Sequence, residues 1–272
     1  MGVLNVTPDS FSDGGQFFSR DAAIEHAKRM RDEGADIIDV GGESTRPQGA
    51  LPVNSGEELR RIIPVIEAIA ESVPEIVLSI DTVKSEVARR ALEAGARIVN
   101  DVSGFRLDPR MGEICADTGA GVVLMHSRGG VSEMGTYAHA EYGDVVDDVL
   151  AELGQRVDAA RRAGVATDRI AVDPGIGFAK RSEHSLNMLA ALPELAKWGY
   201  PVVVGVSRKR FLGEIAGVSE PAARIHATVG ANVAALHRGA QVFRVHDVAA
   251  NRQALDVAWA IMRRETEASG RT

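Results

Sequence analysis

Short apolar runs and amphipathic stretches alternate along the chain. Runs rich in β-branched residues predict eight strands, at residues 3–6, 36–40, 76–80, 97–99, 122–125, 170–172, 202–206 and 242–245. Amphipathic stretches between them predict helices over residues 22–33, 57–72, 85–93, 108–118, 145–163, 184–198, 222–237 and 248–265. Nearly continuous apolar strands that alternate with amphipathic helices are typical of a parallel sheet covered by helices.

The number of strand–helix units distinguishes between two kinds of parallel sheet. Eight units within 272 residues match the length and strand count of a closed (β/α)8 barrel. An open, doubly wound sheet is the alternative. Because no low-complexity tract or long linker divides the chain, we predict a single TIM-barrel domain over residues 1–272, with about 265–272 as a disordered tail.

Polar side chains stand at the end of every predicted strand. In chain order they are Asn5, Glu43, Asp81, Asn100 with Asp101, His126, Asp173, Ser207 with Arg208 and Lys209, and Arg244 with His246 and Asp247. A single polar residue at such a position is usually a turn or cap residue. Barrel enzymes build their active sites at the carboxyl ends of the strands, so eight polar ends together predict an active site there.

These side chains fall into two chemical groups. One group can read the amide and amino edge of a flat, nitrogen-rich ring, and it consists of Asp81, Asn100, Asp173 and Lys209. The other group is basic and suits phosphate oxygens, and it consists of Arg46, Arg208, Lys209, Arg210, Arg244 and His246. A hard ion such as Mg²⁺, bridging a phosphate to Asn5, fits the abundance of oxygen ligands.

Several of these residues also have an ordinary structural interpretation. Asp81 and Asp173 can serve as buried caps of the strand-to-helix turns. His126 is at least as well suited to a supporting hydrogen bond as to the role of a catalytic base. Met125 and Phe178 are residue types that belong more often to a core than to a binding site, although their positions at strand ends favour a pocket wall.

Composition and motifs exclude several classes of protein. A net charge of −7 disfavours general nucleic-acid binding, and no apolar run reaches the roughly 20 residues that cross a bilayer. The single cysteine, Cys115, permits no intrachain disulfide and is expected to be buried filler in a helix. Without a secretory pattern at residues 1–12, we expect a cytoplasmic protein. Walker A, H-E-x-x-H and G-x-S-x-G motifs are absent, and Gly175-Ile176-Gly177 only weakly resembles a dinucleotide site.

An ordered set of motifs resembles the dihydropteroate synthases. The first two signatures are residues 1–15, with Asn5-Val6-Thr7-Pro8-Asp9-Ser10-Phe11-Ser12-Asp13-Gly14-Gly15, and Asp39-Val40-Gly41-Gly42-Glu43-Ser44-Thr45-Arg46-Pro47. Residues 79–82, 99–101, 124–126, 173–178, 207–209 and 244–247 complete the series in order. The match runs from the first residue to about Arg264. Each fragment alone is weak, whereas the ordered set is specific.

The resemblance implies a division of labour among the site residues. The pterin ring would be held by Asp81, Asn100, Val102, Met125, Asp173, Phe178, Lys209 and Arg244. Pyrophosphate would be bound by Asn5, Arg46, Arg244 and His246, with Asn5 also holding Mg²⁺. The p-aminobenzoate pocket would be formed by Phe11, Thr45, Arg46, Pro47, Phe178, Lys209 and Arg210. Catalysis would depend on Asp13, Asp81, Asp173, Lys209 and Arg244.

The same resemblance implies the reaction and its partners. In this family the amine of p-aminobenzoate displaces pyrophosphate from a dihydropterin hydroxymethyl pyrophosphate and gives dihydropteroate. We expect a dissociative, SN1-like path, because the pterin ring can delocalise positive charge and no nucleophilic side chain is required. Sulfonamides, as p-aminobenzoate mimics, are expected to compete, and a homodimer is expected. The chain departs from many relatives by one apparent extra residue after Pro47 and by Arg210 in place of serine.

Two rival functions remain open at the level of sequence. A methyltetrahydrofolate:corrinoid methyltransferase shares a pterin-binding barrel but does not need a basic pyrophosphate side. A catalytically silent pterin-binding module would have lost its substrate contacts. Asn5, Asp13, Arg46, Lys209 and Arg244 are all present, which disfavours the silent module.

Overall fold

The computed structural model describes residues 1–6, 16–43 and 53–269, and the side chains of the same residues except 16–19 and 265–269. Within these ranges parallel strands alternate with helices. The strands are β1 (Gly2–Asn5), β2 (Ile37–Gly41), β3 (Val77–Asp81), β4 (Ile98–Asp101), β5 (Gly121–Met125), β6 (Ile170–Asp173), β7 (Val203–Val204) and β8 (Val242–Phe243). The helices are α1 (Gln16–Asp32), α2 (Ser55–Ser72), α3 (Ser85–Glu93), α4 (Met111–Thr118), α5 (Val145–Arg162), α6 (Ser182–Ala190), α7 (Leu192–Ala196), α8 (Arg210–Ala216), α9 (Ile225–Leu236) and α10 (Val248–Ser269).

The eight strands close into a ring. Strands β1 to β6 form one parallel sheet in sequence order, and β7 pairs with β8. Parallel bridges join the two sheets on both sides, between Val172 and Val202 and between Gly2 and Val245. The amide of Val3 donates to the Val245 carbonyl over 3.0 Å, which completes the barrel between the last strand and the first. The predicted closed (β/α)8 barrel is therefore confirmed, and the open sheet is excluded.

Two predicted helices differ from those observed. The stretch predicted as one helix over residues 184–198 is divided into α6 and α7, because Pro193 lies in the first turn of α7 and cannot donate a backbone hydrogen bond to α6. The predicted helix over 222–237 begins with a 3₁₀ turn, Pro221–Arg224, before α9. Helix α10 extends to Ser269, into the stretch that we predict as a tail.

Strand register explains why polar groups face the barrel interior. Asn5 and Asp81 are the last residues of β1 and β3, and Asn100 is the last but one of β4, so all three belong to the strands rather than to the turns after them. The register places Asn5, Gly41, Asp81 and Asn100 side by side. Since side chains alternate between the two faces of a strand, these four residues point the same way. Their apolar neighbours Leu4, Val40 and Ile80 pack outward against the helices, where they are buried.

Two apolar clusters hold the fold. The large cluster fills the space between strands and helices and includes Ile62, Ile66 and Ile69 of α2. Cys115 belongs to this cluster and is fully buried, as predicted. A separate, small cluster lies at the carboxyl ends of the strands and contains Val83, Val102, Met125 and Met134, with Val131 and Phe178 packed against it. No helix in the described ranges is long and apolar enough to cross a membrane.

Candidate active site

Arg244, just after β8, is the centre of an ion-pair network inside the barrel mouth. Its Nε donates to Asp39 Oδ2 and its Nη2 donates to Asp81 Oδ2, each over 2.7 Å. Asp39 Oδ2 also accepts from Asn100 Nδ2 at 2.9 Å. Strands β2, β3, β4 and β8 therefore contribute one hydrogen-bonded group of four side chains, three of which the sequence analysis places in the site.

Asp39 is the member of this network to which sequence reasoning gave no role. It is fully buried on β2, and its Oδ1 has no hydrogen-bond partner in the described part of the chain. The available signal was a charged residue inside the strand Ile37-Ile38-Asp39-Val40-Gly41, since charged residues are almost never fully buried unless they are paired. Asp39 holds both Arg244 and Asn100, so it fixes the positions of two predicted site residues.

The carboxylates and cations of the network perturb one another. Burial raises the pKa of Asp81 to about 7, although the Arg244 guanidinium acts in the opposite direction. The neighbouring Asp39 carboxylate adds to this rise. Burial alone would lower the pKa of Arg244, but the charges of Asp39 and Asp81 outweigh it and raise that pKa. The guanidinium consequently stays charged, while Asp81 titrates close to neutral pH.

Asp173 and Lys209 stand together at the ends of β6 and β7. Asp173 Oδ1 accepts from the Gly175 amide at 2.7 Å, and burial raises the pKa of its carboxyl group while the Lys209 charge lowers it. Lys209 is the residue that caps α8; its ammonium donates to the Ile176 carbonyl and lies 4.3 Å from the centroid of the Phe178 ring. Burial lowers the pKa of Lys209 to about 7. An acid and an amine with shifted pKa values thus share one side of the mouth.

The small apolar cluster forms a wall beside these charges. Val102, Met125 and Phe178, which the sequence analysis assigns to a ring pocket, all belong to it. Phe178 links the wall to the polar groups through its contact with the Lys209 ammonium. A flat ring placed here would meet apolar side chains on its faces and carboxylate, amide and ammonium groups along its edge.

Two of the three basic residues after β7 have carboxylate partners in the described part of the chain. Arg208 Nε donates to Asp247 Oδ2 over 2.9 Å, and Arg210 lies 3.6 Å from a carboxylate oxygen of Glu214. The Arg210 guanidinium also stacks on the Tyr137 ring at 4.0 Å. Asp247 and Glu214 balance the charges of Arg208 and Arg210, so these two arginines do not need a bound anion as a partner. Lys209 is the cation of this segment that faces the predicted ring pocket.

His246 and Asn5 complete the described part of the predicted site. The Nδ1 atom of His246 lies 2.9 Å from the Ser207 hydroxyl, so the ends of β7 and β8 are joined. Asn5 Oδ1 and Asp81 Oδ2 lie on either side of Gly41, each 3.8 Å from the position that a Cβ atom on Gly41 would occupy. The missing side chain at Gly41 leaves space between these two oxygen ligands.

Among the described residues, the side-chain oxygen atoms of Asn5 and Asp81 approach this space. In the ranges that the structure describes, no group of three histidine, cysteine, aspartate or glutamate side chains is arranged to hold a metal ion. One amide and one carboxylate oxygen nevertheless suit Mg²⁺, which usually keeps several waters and phosphate oxygens as ligands. Phe11, Asp13, Thr45, Arg46 and Pro47 lie outside the described residues, so their predicted roles stay predictions.

Comparison with known proteins identifies related sequences and structures. A family model described as pterin binding enzyme matches residues 1–246. A dihydropteroate synthase from Mycobacterium leprae is 49% identical over 267 residues, which cover 95% of this chain and 92% of the relative. A dihydropteroate synthase from Xanthomonas albilineans, solved with 4-aminobenzoic acid, is 46% identical with a TM-score of 0.89 over 96% of this chain and 92% of that one.

A third comparison concerns an inhibitor complex. The structure of the Yersinia pestis dihydropteroate synthase with a sulfonamide drug has a TM-score of 0.89 and is 40% identical, covering 97% of this chain and 94% of that one. For each of these three relatives, the similarity extends over nearly the full length of both chains.

Proposed function

Because the chain belongs to the dihydropteroate synthase family of pterin-binding enzymes, we propose that the barrel mouth around Arg244 binds a pterin pyrophosphate and p-aminobenzoate. The chain is a transferase of folate biosynthesis that joins these two substrates into 7,8-dihydropteroate and releases pyrophosphate. The observation that carries the assignment of the site is the bonded group of Asp39, Asp81, Asn100 and Arg244, with Asp173 and Lys209 at neighbouring strand ends.

The pterin would be recognised along its polar edge. Ionised Asp81 and Asp173 can accept N–H bonds from the amino and ring nitrogens, while the Lys209 ammonium can donate to a ring acceptor. Val102, Met125 and Phe178 would contact the faces of the ring. A buried carboxylate that pairs with a guanidinium or an amine already has its hydrogen-bonding direction fixed, so little reorganisation is needed on binding.

Pyrophosphate departure would be assisted by positive charge. Arg244, which follows β8, and Arg46 would supply cations to the pyrophosphate, and His246 would supply a hydrogen bond. Mg²⁺, held by Asn5 and oxygens of the pyrophosphate, would supply additional charge neutralisation when bound. Asp81 and Asp173 would electrostatically stabilise a positively charged pterin methylene, which favours an SN1-like path. Phe11, Asp13, Thr45, Pro47 and Arg210 would complete the p-aminobenzoate side of the pocket.

The test is release of pyrophosphate from the pterin substrate, with dihydropteroate identified by mass spectrometry. We expect dihydropteroate only when both substrates are present, and we expect sulfonamides to compete with p-aminobenzoate. Methyl transfer to a corrinoid, or tight pterin binding without turnover, would support one of the rival functions instead. A secondary deuterium isotope effect near unity at the methylene carbon would contradict the SN1-like path.

Three further properties belong to this proposal. The chain would work as one domain over residues 1–272, in the cytoplasm and as a homodimer. Sedimentation equilibrium at micromolar concentration tests the oligomeric state directly, since a monomer and a dimer of a 28.9 kDa chain differ twofold in mass.

A further inference from the structure

Lys180 is a buried lysine behind the pterin site that the proposed chemistry does not use. Only 2% of its surface is exposed, and it follows β6 at the end of the segment Pro174–Ala179. Its Nζ lies 2.9 Å from His126 Nδ1 and donates to the Phe178 carbonyl over 3.2 Å. A lysine is almost never fully buried without partners, so these contacts account for its presence inside the protein.

The contacts of Lys180 continue outward through His126. The Nε2 atom of His126 lies 3.1 Å from Glu152 Oε2, and Glu152 on α5 also accepts from Arg128 Nε at 3.0 Å. When Lys180 is protonated, its ammonium group has only donors, so His126 Nδ1 accepts, and the proton of the neutral ring is then on Nε2 and points to Glu152. With this tautomer, each hydrogen bond in the network of Lys180, His126, Glu152 and Arg128 joins a donor to an acceptor.

The charges around Lys180 act on its pKa in both directions. Burial, which is the largest effect, and the charges of Lys209 and Arg128 lower this pKa to about 7, whereas Asp173 and Glu152 raise it. Asp173 faces Lys180 from β6, Lys209 from the start of α8, Arg128 from the loop after β5 and Glu152 from α5. Burial and the Lys180 charge lower the pKa of His126 to about 4, so the ring is neutral near pH 7. The hydrogen bond to His126, together with the contact to Arg128, lowers the pKa of Glu152 to about 2 although burial acts in the opposite direction, so this carboxylate is ionised.

The segment held by Lys180 shapes the predicted pocket. Gly175, Gly177 and Ala179 have left-handed φ values of 66°, 78° and 46°, a conformation that is strained for alanine. A Cβ atom on Gly175 would lie 1.9 Å from the His126 carbonyl, so the segment packs directly on the end of β5. The same segment presents the Ile176 carbonyl to Lys209 and the Phe178 ring to the apolar wall.

We propose that Lys180 is a positioning residue of the pterin site, which acts through His126 and Glu152 to hold the segment Pro174–Ala179 in its binding conformation. The inference rests on the proposed function, because the segment matters only if Lys209 and Phe178 contact the pterin. Lys180 itself touches no substrate. It joins the ends of β5 and β6 to α5 and places a cation behind Asp173.

Substitutions of nearly equal size separate hydrogen bonding from packing. In Lys180→Met and His126→Met the chain of contacts is broken, whereas His126→Gln keeps one acceptor and one donor. We expect each methionine variant to raise the KM for the pterin substrate about tenfold or more, and the KM for p-aminobenzoate by a smaller factor, because Phe178 and Lys209 are also predicted to line that pocket. His126→Gln should recover most of the loss. Lys197→Met, at an exposed lysine after α7, is the control and should behave as wild type.

The double variant tests whether the two residues act as a unit. If Lys180 works through His126, Lys180→Met with His126→Met should cost about as much as either alone, since coupled residues are not additive. Independent effects that multiply, equal losses for both substrates, or no rescue by His126→Gln would overturn the proposal.

Two further measurements keep the test independent of turnover. Nitrogen-15 NMR of the wild type should show His126 protonated at Nε2 and unprotonated at Nδ1, and the opposite tautomer would overturn the proposal. Calorimetric measurement of pterin pyrophosphate binding distinguishes failure of the role proposed for Lys180 from failure of the proposed function. No binding to the wild type would remove the proposed function, whereas equal binding by wild type and a folded Lys180→Met would remove the role of Lys180 alone.

Discussion

Asp39→Asn is the substitution that most directly tests how the active site is built. Asp39 Oδ2 accepts from both Arg244 and Asn100, at 2.7 and 2.9 Å, although sequence reasoning gave it no function. Asparagine has nearly the same size and keeps one acceptor oxygen, so the variant removes a charge while changing packing little. Arg244 would retain Asp81 as its remaining carboxylate partner.

The magnitude follows from the two contacts that are weakened. Unit charges about 4 Å apart attract by about 4 kcal/mol at an effective dielectric constant of about 20. Removal of a buried charge also relieves a desolvation penalty of several kcal/mol, so we expect a net loss of only about 2 kcal/mol in the free energy of unfolding. If the hydrogen bonds that hold Arg244 and Asn100 in place each weaken by about 1.5 kcal/mol, kcat/KM for the pterin would fall about hundredfold.

The pH profile distinguishes a positioning effect from partial unfolding. The Asp39 charge helps to raise the pKa of Asp81, so its removal must lower that pKa from about 7. If pterin binding requires ionised Asp81, the acid limb of kcat/KM should move to lower pH in Asp39→Asn. An unchanged kcat/KM, or an acid limb that moves to higher pH, would refute this reasoning.

Ser79→Ala is the matched control for Asp39→Asn. Ser79 is the register partner of Asp39 on β3, is fully buried, and its hydroxyl makes no hydrogen bond in the described part of the chain. Its substitution alters the barrel interior at the same level without touching the ion-pair network. We expect the free energy of unfolding to change by less than about 1 kcal/mol and kcat/KM to be unchanged.

Three further predictions concern other buried groups. Lys209→Met should lower turnover at least about hundredfold while the melting temperature, followed by scanning fluorimetry, shifts by only a few degrees; equal turnover would remove Lys209 from the site. Lys84→Met should cost about 3–5 kcal/mol in urea unfolding, because fully buried Glu58 loses the cation that lowers its pKa. That cost should shrink as the pH falls towards the ordinary Glu58 value of 4.5, since the folded variant then takes up a proton more readily than the unfolded chain; a pH-independent cost would contradict the argument. Cys115 should resist alkylation at pH 8 in the folded protein and react after denaturation, because burial raises its pKa to about 12; rapid labelling of the native protein would show that the core opens.

The fold was largely predictable because its signal is repeated eight times. Each predicted run begins and ends within two residues of the observed strand, even at β7 and β8, where the regular ladder is only two residues long. An error in one predicted strand therefore does not change the predicted fold. The division of α6 from α7 was missed because the apolar period continues across Pro193, while the proline interrupts only the hydrogen bonds.

The polar groups of the site were predictable in kind but not in their pairing. The residue types at the strand ends identified Asp81, Asn100, Asp173 and Arg244, since a barrel brings such ends together. Arg208 pairs with Asp247 and leaves Lys209 to face the pocket because of the side-chain directions after β7. These directions follow from the left-handed backbone of Arg208, with a φ of 58°. The sequence pattern gives Lys180 no role, and only its burial against His126 shows a structural one.

By itself the sequence determined the strand–helix alternation, the barrel and the residue types at its mouth, because hydrophobic periodicity and strand order are local properties of the chain. The tertiary structure decided which charges meet. Asp39 and Arg244 are separated by 205 residues yet lie 2.7 Å apart, and only closure of β8 onto β1 brings them together. Interaction energies between buried charges depend on distance and burial, and neither can be read from positions along a chain.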